Sequence, residues 1–189
     1  MTPISILVAG THGHNDDWWK PGSDFMTAMM TAGIRSADIS DPYAWCTNLD
    51  GILGSNTVWK TAGDALRWYA MSKIRHYPVS IVAHSHGGQV AAFAAANGLH
   101  IERLVTVATP VRKDMEPIYR AARGNIQHWY HLHSDSDFWQ VLGGLRDGHW
   151  GIHRTMPYAD ENIMVKNVNH GEFLNPALWD ENYWWEWLK

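Results

Sequence analysis

Apolar residues in this chain fall either into short continuous runs or into positions three to four apart, and the two patterns alternate. Residues 4–9 (Ile4, Ser5, Ile6, Leu7, Val8, Ala9) form a β-branched run closed by Gly10, the pattern of a strand covered on both faces. Ser23 and Asp24 then precede Phe25, Met26, Met29 and Met30, and Gly33 follows, so cap, apolar face and stop together predict a helix. Between residues 57 and 77 the positions Val58, Trp59, Ala62, Leu66, Tyr69, Ala70, Ile74 and Tyr77 keep helical spacing until Pro78 ends the run.

A second strand is predicted over residues 79–83. A helix over 89–96 follows it almost at once, entered through Gly87 and Gly88 and closed by Asn97 and Gly98. The strand signature returns at 101–108 before Pro110, residues 112–123 read as a helix, and 126–133 as a strand with bulky residues on both faces. A loop-rich stretch leads to a last strand at 163–168 and a closing helix at 175–188. Strands alternating with helices imply a mostly parallel central sheet in a three-layer α/β sandwich, with helices on both faces. No repeat, low-complexity tract or linker divides residues 1–189, so one domain is expected.

Composition narrows the classes. With 46% hydrophobic and 18% charged residues the chain has ample material for a core. Fifteen Lys plus Arg against nineteen Asp plus Glu give a net charge of -4 without a basic run, which argues against a nucleic-acid partner. The start of the chain lacks the basic and apolar regions of a signal peptide, and no apolar run approaches the ~20 residues that cross a bilayer. Cys46 is the only cysteine, so no intrachain disulfide forms; this leans towards a reducing cytoplasm but also fits a bridge-free secreted protein. The twelve Trp and twelve His exceed ordinary usage, and the Trp abundance bears on substrate binding below.

The segment Ala83-His84-Ser85-His86-Gly87 lies between a buried strand and a helix rich in small residues. It resembles the nucleophile elbow of the α/β-hydrolase family, whose G-x-S-x-G pattern reflects a sharp strand-to-helix turn that leaves no room for bulky side chains two positions either side of the serine. Here Ala83 replaces the first glycine, and a methyl group is the smallest such departure. The resemblance implies a minimal α/β-hydrolase fold with Ser85 as nucleophile. Because a serine hydroxyl is a weak nucleophile at neutral pH, it needs a base and a group that orients the base, which the family supplies in the order Ser, acid, His.

On that order His170, in the Asn169-His170-Gly171 turn after the last strand, is the expected base. The acid falls in Ser134-Asp135-Ser136-Asp137; Asp137 is favoured because Asp135, directly after the strand, reads as an Asx-turn residue. The resemblance also implies an oxyanion hole made by the backbone N–H of His86 and an amide from the loop after the first strand, Thr11 or, on a different alignment of the loop, His14, with Thr11 preferred. His12, Trp18, Trp19 and Trp139 are candidates for the substrate wall, although core packing is the simpler account of most tryptophans. His84 and His86 are read as lining the pocket or satisfying local hydrogen bonds.

The function expected is hydrolysis of a carboxylic ester, on a small-molecule or lipid substrate, through an acyl-enzyme and without cofactor or metal. One alternative is a zinc hydrolase using His12, His14 and Asp16, since Thr11-His12-Gly13-His14-Asn15-Asp16-Asp17 approximates the H-x-H-x-D-H pattern of metallo-β-lactamase-like enzymes, whose fold is a largely antiparallel sandwich. Another is a binding module that keeps the fold without catalysis. The Trp-rich C-terminal helix, with Trp179, Trp184, Trp185 and Trp187, is a candidate contact for a second copy, and residues 138–162 for a cap over the site.

Overall fold

A computed structural model of the chain describes residues 1–10, 16–37, 56–138 and 155–189. In chain order the described elements include β1 (Ile4–Val8), α1 (Asp24–Thr31), β2 (Arg35–Ser36), α2 (Asn56–Tyr69), β3 (Val79–His84), α3 (Gly87–Ala96), β4 (Ile101–Val107), α4 (Glu116–Arg123), β5 (Ile126–Ser134), β6 (Glu161–Val165) and α5 (Pro176–Glu181). The strands form one sheet in the order β2-β1-β3-β4-β5-β6. Every pairing is parallel, with Ile6 opposite Ile81, Val82 opposite Val105 and Val105 opposite Tyr130.

The chain runs outward from β1 to β2 through α1, then back across β1 to β3 through α2 and onward to β4 and β5 through α3 and α4. Right-handed crossovers place helices on opposite faces when the direction of travel along the sheet reverses. Accordingly α2, α3 and α4 pack together on one face, and α1 meets α5 on the other. The three-layer sandwich is thus formed. Its all-parallel sheet, joined by crossover helices, is not the largely antiparallel sandwich of metallo-β-lactamase-like enzymes, which would have required hairpin connections.

Central strands β1 and β3 are buried at every position, which is why they read as unbroken apolar runs. Helix α3 is buried at nine of its ten residues; its alanines let it lie close to the sheet, between α2 and α4. Ser23 caps α1 by accepting the Met26 N–H at 3.1 Å, and Gly33, at φ 84°, supplies the left-handed residue that ends it.

Three expectations about boundaries are corrected, and one strand is added. The two-residue edge strand β2 carries no hydrophobic alternation and left no sequence signal. The long helix changes after Tyr69 into a π-helical turn over Ala70–Ile74. The last strand begins at Glu161 and ends at Val165 rather than spanning 163–168; as an exposed edge strand it includes polar residues, and Asn167 turns the chain at φ 58°.

The closing helix is broken at Tyr183, φ 57°, into α5 and a 3-10 segment over Trp184–Leu188. Residues three apart eclipse in a 3-10 helix, so Trp184 and Trp187 stack at 5.8 Å and 19° while Trp187 lies flat on Tyr130 at 4.6 Å. Trp179, Trp184 and Trp185 are buried within the chain itself, with Phe25 of α1 packed on Trp179 and Trp185 at 5.1 Å each. Among the described residues no helix is long and apolar enough to cross a membrane.

Candidate active site

In a parallel sheet all the C-terminal strand ends lie along one rim. Ser85 follows β3 there, Asp137 lies beyond β5, and His170 lies beyond β6. Ser85 adopts φ 54°, a left-handed conformation that costs a non-glycine residue roughly 1–2 kcal/mol. Two backbone bonds hold it so: Ser85 N–H donates to Val107 O at 2.8 Å, and Gly88 N–H donates to Ser85 O at 3.0 Å.

The small residues around this turn have a direct steric cause. A methyl group at Gly87 would stand 2.4 Å from the Val8 carbonyl oxygen, and one at Gly88 would stand 2.3 Å from Thr109 Oγ1. In the sequence Gly10 marks the end of a strand. A methyl group there would lie 2.6 Å from Ser85 Cβ and 3.1 Å from its Oγ, so glycine lets the end of β1 rest against the serine side chain. Ala83 is fully buried, and the fold accommodates its methyl group.

His170 Nδ1 lies 2.7 Å from Asp137 Oδ2. The carboxylate has no exposed surface and the imidazole is 19% exposed. An ionised carboxylate can only accept, so Nδ1 carries the proton, and Nε2 is the ring atom able to take one from a hydroxyl. Asp135 is exposed and does different work, accepting the Ser136 hydroxyl at 3.1 Å and the Asn167 N–H at 3.3 Å. Asp160 is a brace: it pairs with Arg123 at 2.5 Å and accepts the Trp129 N–H at 2.7 Å.

His84 is buried at the end of β3, and its Nε2 donates to the His170 carbonyl at 3.0 Å. Burial, reinforced by the neighbouring His170 ring, lowers its pKa to about 3. His86 opens α3, where the first-turn amides have no acceptor within the helix. Its ring stacks on Trp59 at 5.0 Å, and the Arg112 guanidinium lies 5.0 Å from the same indole.

Of the tryptophans expected to face substrate, Trp19 is 1% exposed and therefore part of the core, and Trp18 is 9% exposed. Trp18 makes edge contacts with Phe25 at 5.3 Å and with His84 at 6.2 Å. Thr11, His12, His14 and Trp139 lie outside the described residues, as does most of the candidate cap. Asp16 is exposed, and no group of three or more metal-ligating side chains occurs among the described residues.

No protein-family model and no curated protein matches the sequence. Solved structures do. A predicted CIB-like hydrolase from Thermoplasma acidophilum superposes with a TM-score of 0.60 at 12% identity, over 98% of this chain and 86% of that one. A cold-adapted esterase from an Arctic intertidal metagenomic library gives 0.60 at 14% identity, over 100% and 83%. The mature lipase of Bacillus licheniformis gives 0.54 at 13% identity, over 97% and 90%.

The fold is that of an α/β-hydrolase. Coverage of nearly the whole chain in each comparison means that the likeness extends from β1 to α5. In this α/β-hydrolase fold the turn at Ser85, the Asp137–His170 pair and the buried His84 share the rim where the strands end.

Proposed function

We propose that the protein is a serine hydrolase that cleaves a carboxylic ester through an acyl-enzyme on Ser85. The observation that carries the reading is the 2.7 Å contact of His170 Nδ1 with the fully buried Asp137 carboxylate, on the sheet rim that also bears a strained serine turn. The esterases and lipases that share the fold make the same class of reaction the first to test.

In the mechanism, His170 Nε2 takes the Ser85 proton as Oγ attacks the ester carbonyl carbon. Asp137 stabilises the imidazolium and remains ionised. The tetrahedral oxyanion accepts hydrogen bonds from the His86 amide and, by its place directly after Gly10, the Thr11 amide. Collapse expels the alcohol, which receives the proton from His170. Water, deprotonated by the same imidazole, then attacks the acyl carbon; collapse of the second tetrahedral intermediate frees the acid and returns the proton to Ser85.

Turnover of p-nitrophenyl esters of increasing acyl length, on wild type and on Ser85→Ala, tests the proposal. Hydrolysis that disappears in the variant supports it and reports the acyl length preferred. A fluorophosphonate adduct mapped to any residue but Ser85 overturns it, and turnover equal in the two proteins does the same.

A further inference from the structure

The His170 loop leaves the sheet at its edge. Strand β6 ends at Val165, and residues 166–171 are largely exposed, with the backbone turning at Asn167. A base carried on such a segment needs its backbone tied as well as its ring. Asp137 fixes the ring through Nδ1. Asn167 N–H donates to Asp135, and Asn169 N–H donates to Glu172 Oε2 at 2.7 Å, so the approaches to the loop are fastened to side chains.

The histidine residue itself is tied at its carbonyl, and the tie comes from His84, eighty-six positions earlier in the chain. A carbonyl oxygen accepts only, so the 3.0 Å contact requires the proton on His84 Nε2. The two imidazoles lie 4.6 Å apart at 54°, and the edge-on Trp18 indole packs on His84. His84 is also the residue directly before Ser85. One rigid unit, the end of β3, therefore carries both the hydroxyl and the donor that locates the backbone of its base.

We propose that His84 is a positioning residue, whose Nε2–H holds the His170 backbone at a fixed place relative to Ser85. The proposal rests on the reading of His170 as the base. Its physical requirement is a hydrogen on His84 Nε2 and no competition from His84 for the proton that His170 gains and loses. Burial ensures the latter, and His170, His86 and Asp137 are the titratable groups that act on His84. Loss of the donor frees the backbone of residue 170, and a misplacement of about 1 Å costs on the order of 100-fold in rate.

His84→Phe keeps a ring beside Trp18 and removes the donor; His84→Gln restores an N–H. On p-nitrophenyl acetate, His84→Phe is expected to lower kcat by about 10- to 100-fold with little change in KM, and His84→Gln to recover a large part of the loss. The second readout is NMR of the protein labelled with 15N-histidine. The His170 Nδ1–H proton is expected to be visible in wild type, lost to exchange in His84→Phe and regained in His84→Gln.

A His170 signal unchanged in His84→Phe overturns the proposal, whatever happens to the rate. Wild type alone also decides if the variants fail to fold, because a His84 tautomer protonated on Nδ1 is incompatible with donation from Nε2. Equal turnover by wild type and Ser85→Ala would instead defeat the hydrolase reading, and the resonances would still report whether His84 holds the loop.

Discussion

His170 Nδ1 and Asp137 Oδ2 are 2.7 Å apart although thirty-three residues separate them in the chain, and the carboxylate is sealed from solvent. Asp137→Asn replaces an obligate acceptor with an amide that can also donate, which admits the wrong imidazole tautomer. The expected loss in kcat at neutral pH is on the order of 10,000-fold. Asp135→Asn, whose side chain serves Ser136 and Asn167, should cost no more than a few-fold. Steady-state ester hydrolysis by the two variants checks this, and equal losses would contradict the assignment of Asp137.

Ser85 at φ 54° makes a second prediction that does not depend on catalysis. Ser85→Ala retains a Cβ and the strain, whereas Ser85→Gly relieves it. The glycine variant should therefore be the more stable of the two by about 1 kcal/mol, or roughly 2–4 °C in Tm, because the strain outweighs the added freedom of its unfolded chain. Thermal melts of the pair measure it.

Crowding at the elbow gives a third. Gly87→Ala drives a methyl group towards the carbonyl oxygens of Val8 and Ala9, backbone atoms of the central sheet that cannot yield. A loss of about 3 kcal/mol is expected. Gly171→Ala, beside the candidate base, meets nothing within 4 Å and has φ -82°, so it should stay within about 0.5 kcal/mol of wild type. Urea denaturation of both variants makes the comparison.

Acid stability supplies a fourth. In the unfolded chain His84 binds a proton below about pH 6.5, while in the folded protein it does so only near pH 3. Over that interval the unfolded state holds more protons, so this residue's contribution falls as pH falls, by about 4 kcal/mol at pH 3.5. His84→Phe removes that titrating group, and its stability should decline less steeply between pH 6 and pH 4 than that of wild type. Parallel unfolding profiles over that range would count against a neutral, buried His84.

Much of this architecture was legible because buried parallel strands must be apolar on both faces: β1, β3 and β4 announced themselves, and the glycines after Ser85 marked the turn. Edge elements were less so: β2 carries no hydrophobic signal, and the last strand reads at 163–168 where β6 spans Glu161–Val165, because an edge strand answers to solvent and its pattern is weak. Periodicity also missed the break at Tyr183, where a left-handed residue turns the chain into a 3-10 segment that buries Trp184, Trp185 and Leu188.

At the candidate site, Ser85 could be proposed from its likeness to a nucleophile elbow, and Asp137 and His170 from the order Ser, acid, His and their places in loops that follow strands. The direction in which Trp19 turns could not, because spacing says nothing of which way a loop side chain faces. Nor could the bond from His84 to the His170 carbonyl. Strand order in space brings those residues together, and a single sequence carries that order only implicitly.

Because the strands all run one way, the connections at their starting ends occupy the opposite side of the sheet. Asn97, Gly98 and His100 precede β4 there, and Gly124 precedes β5; all four are exposed. A linker, fluorophore or surface attachment made at these positions would sit a strand's length away from Ser85. The protein could then be tethered with the Ser85 rim facing outward.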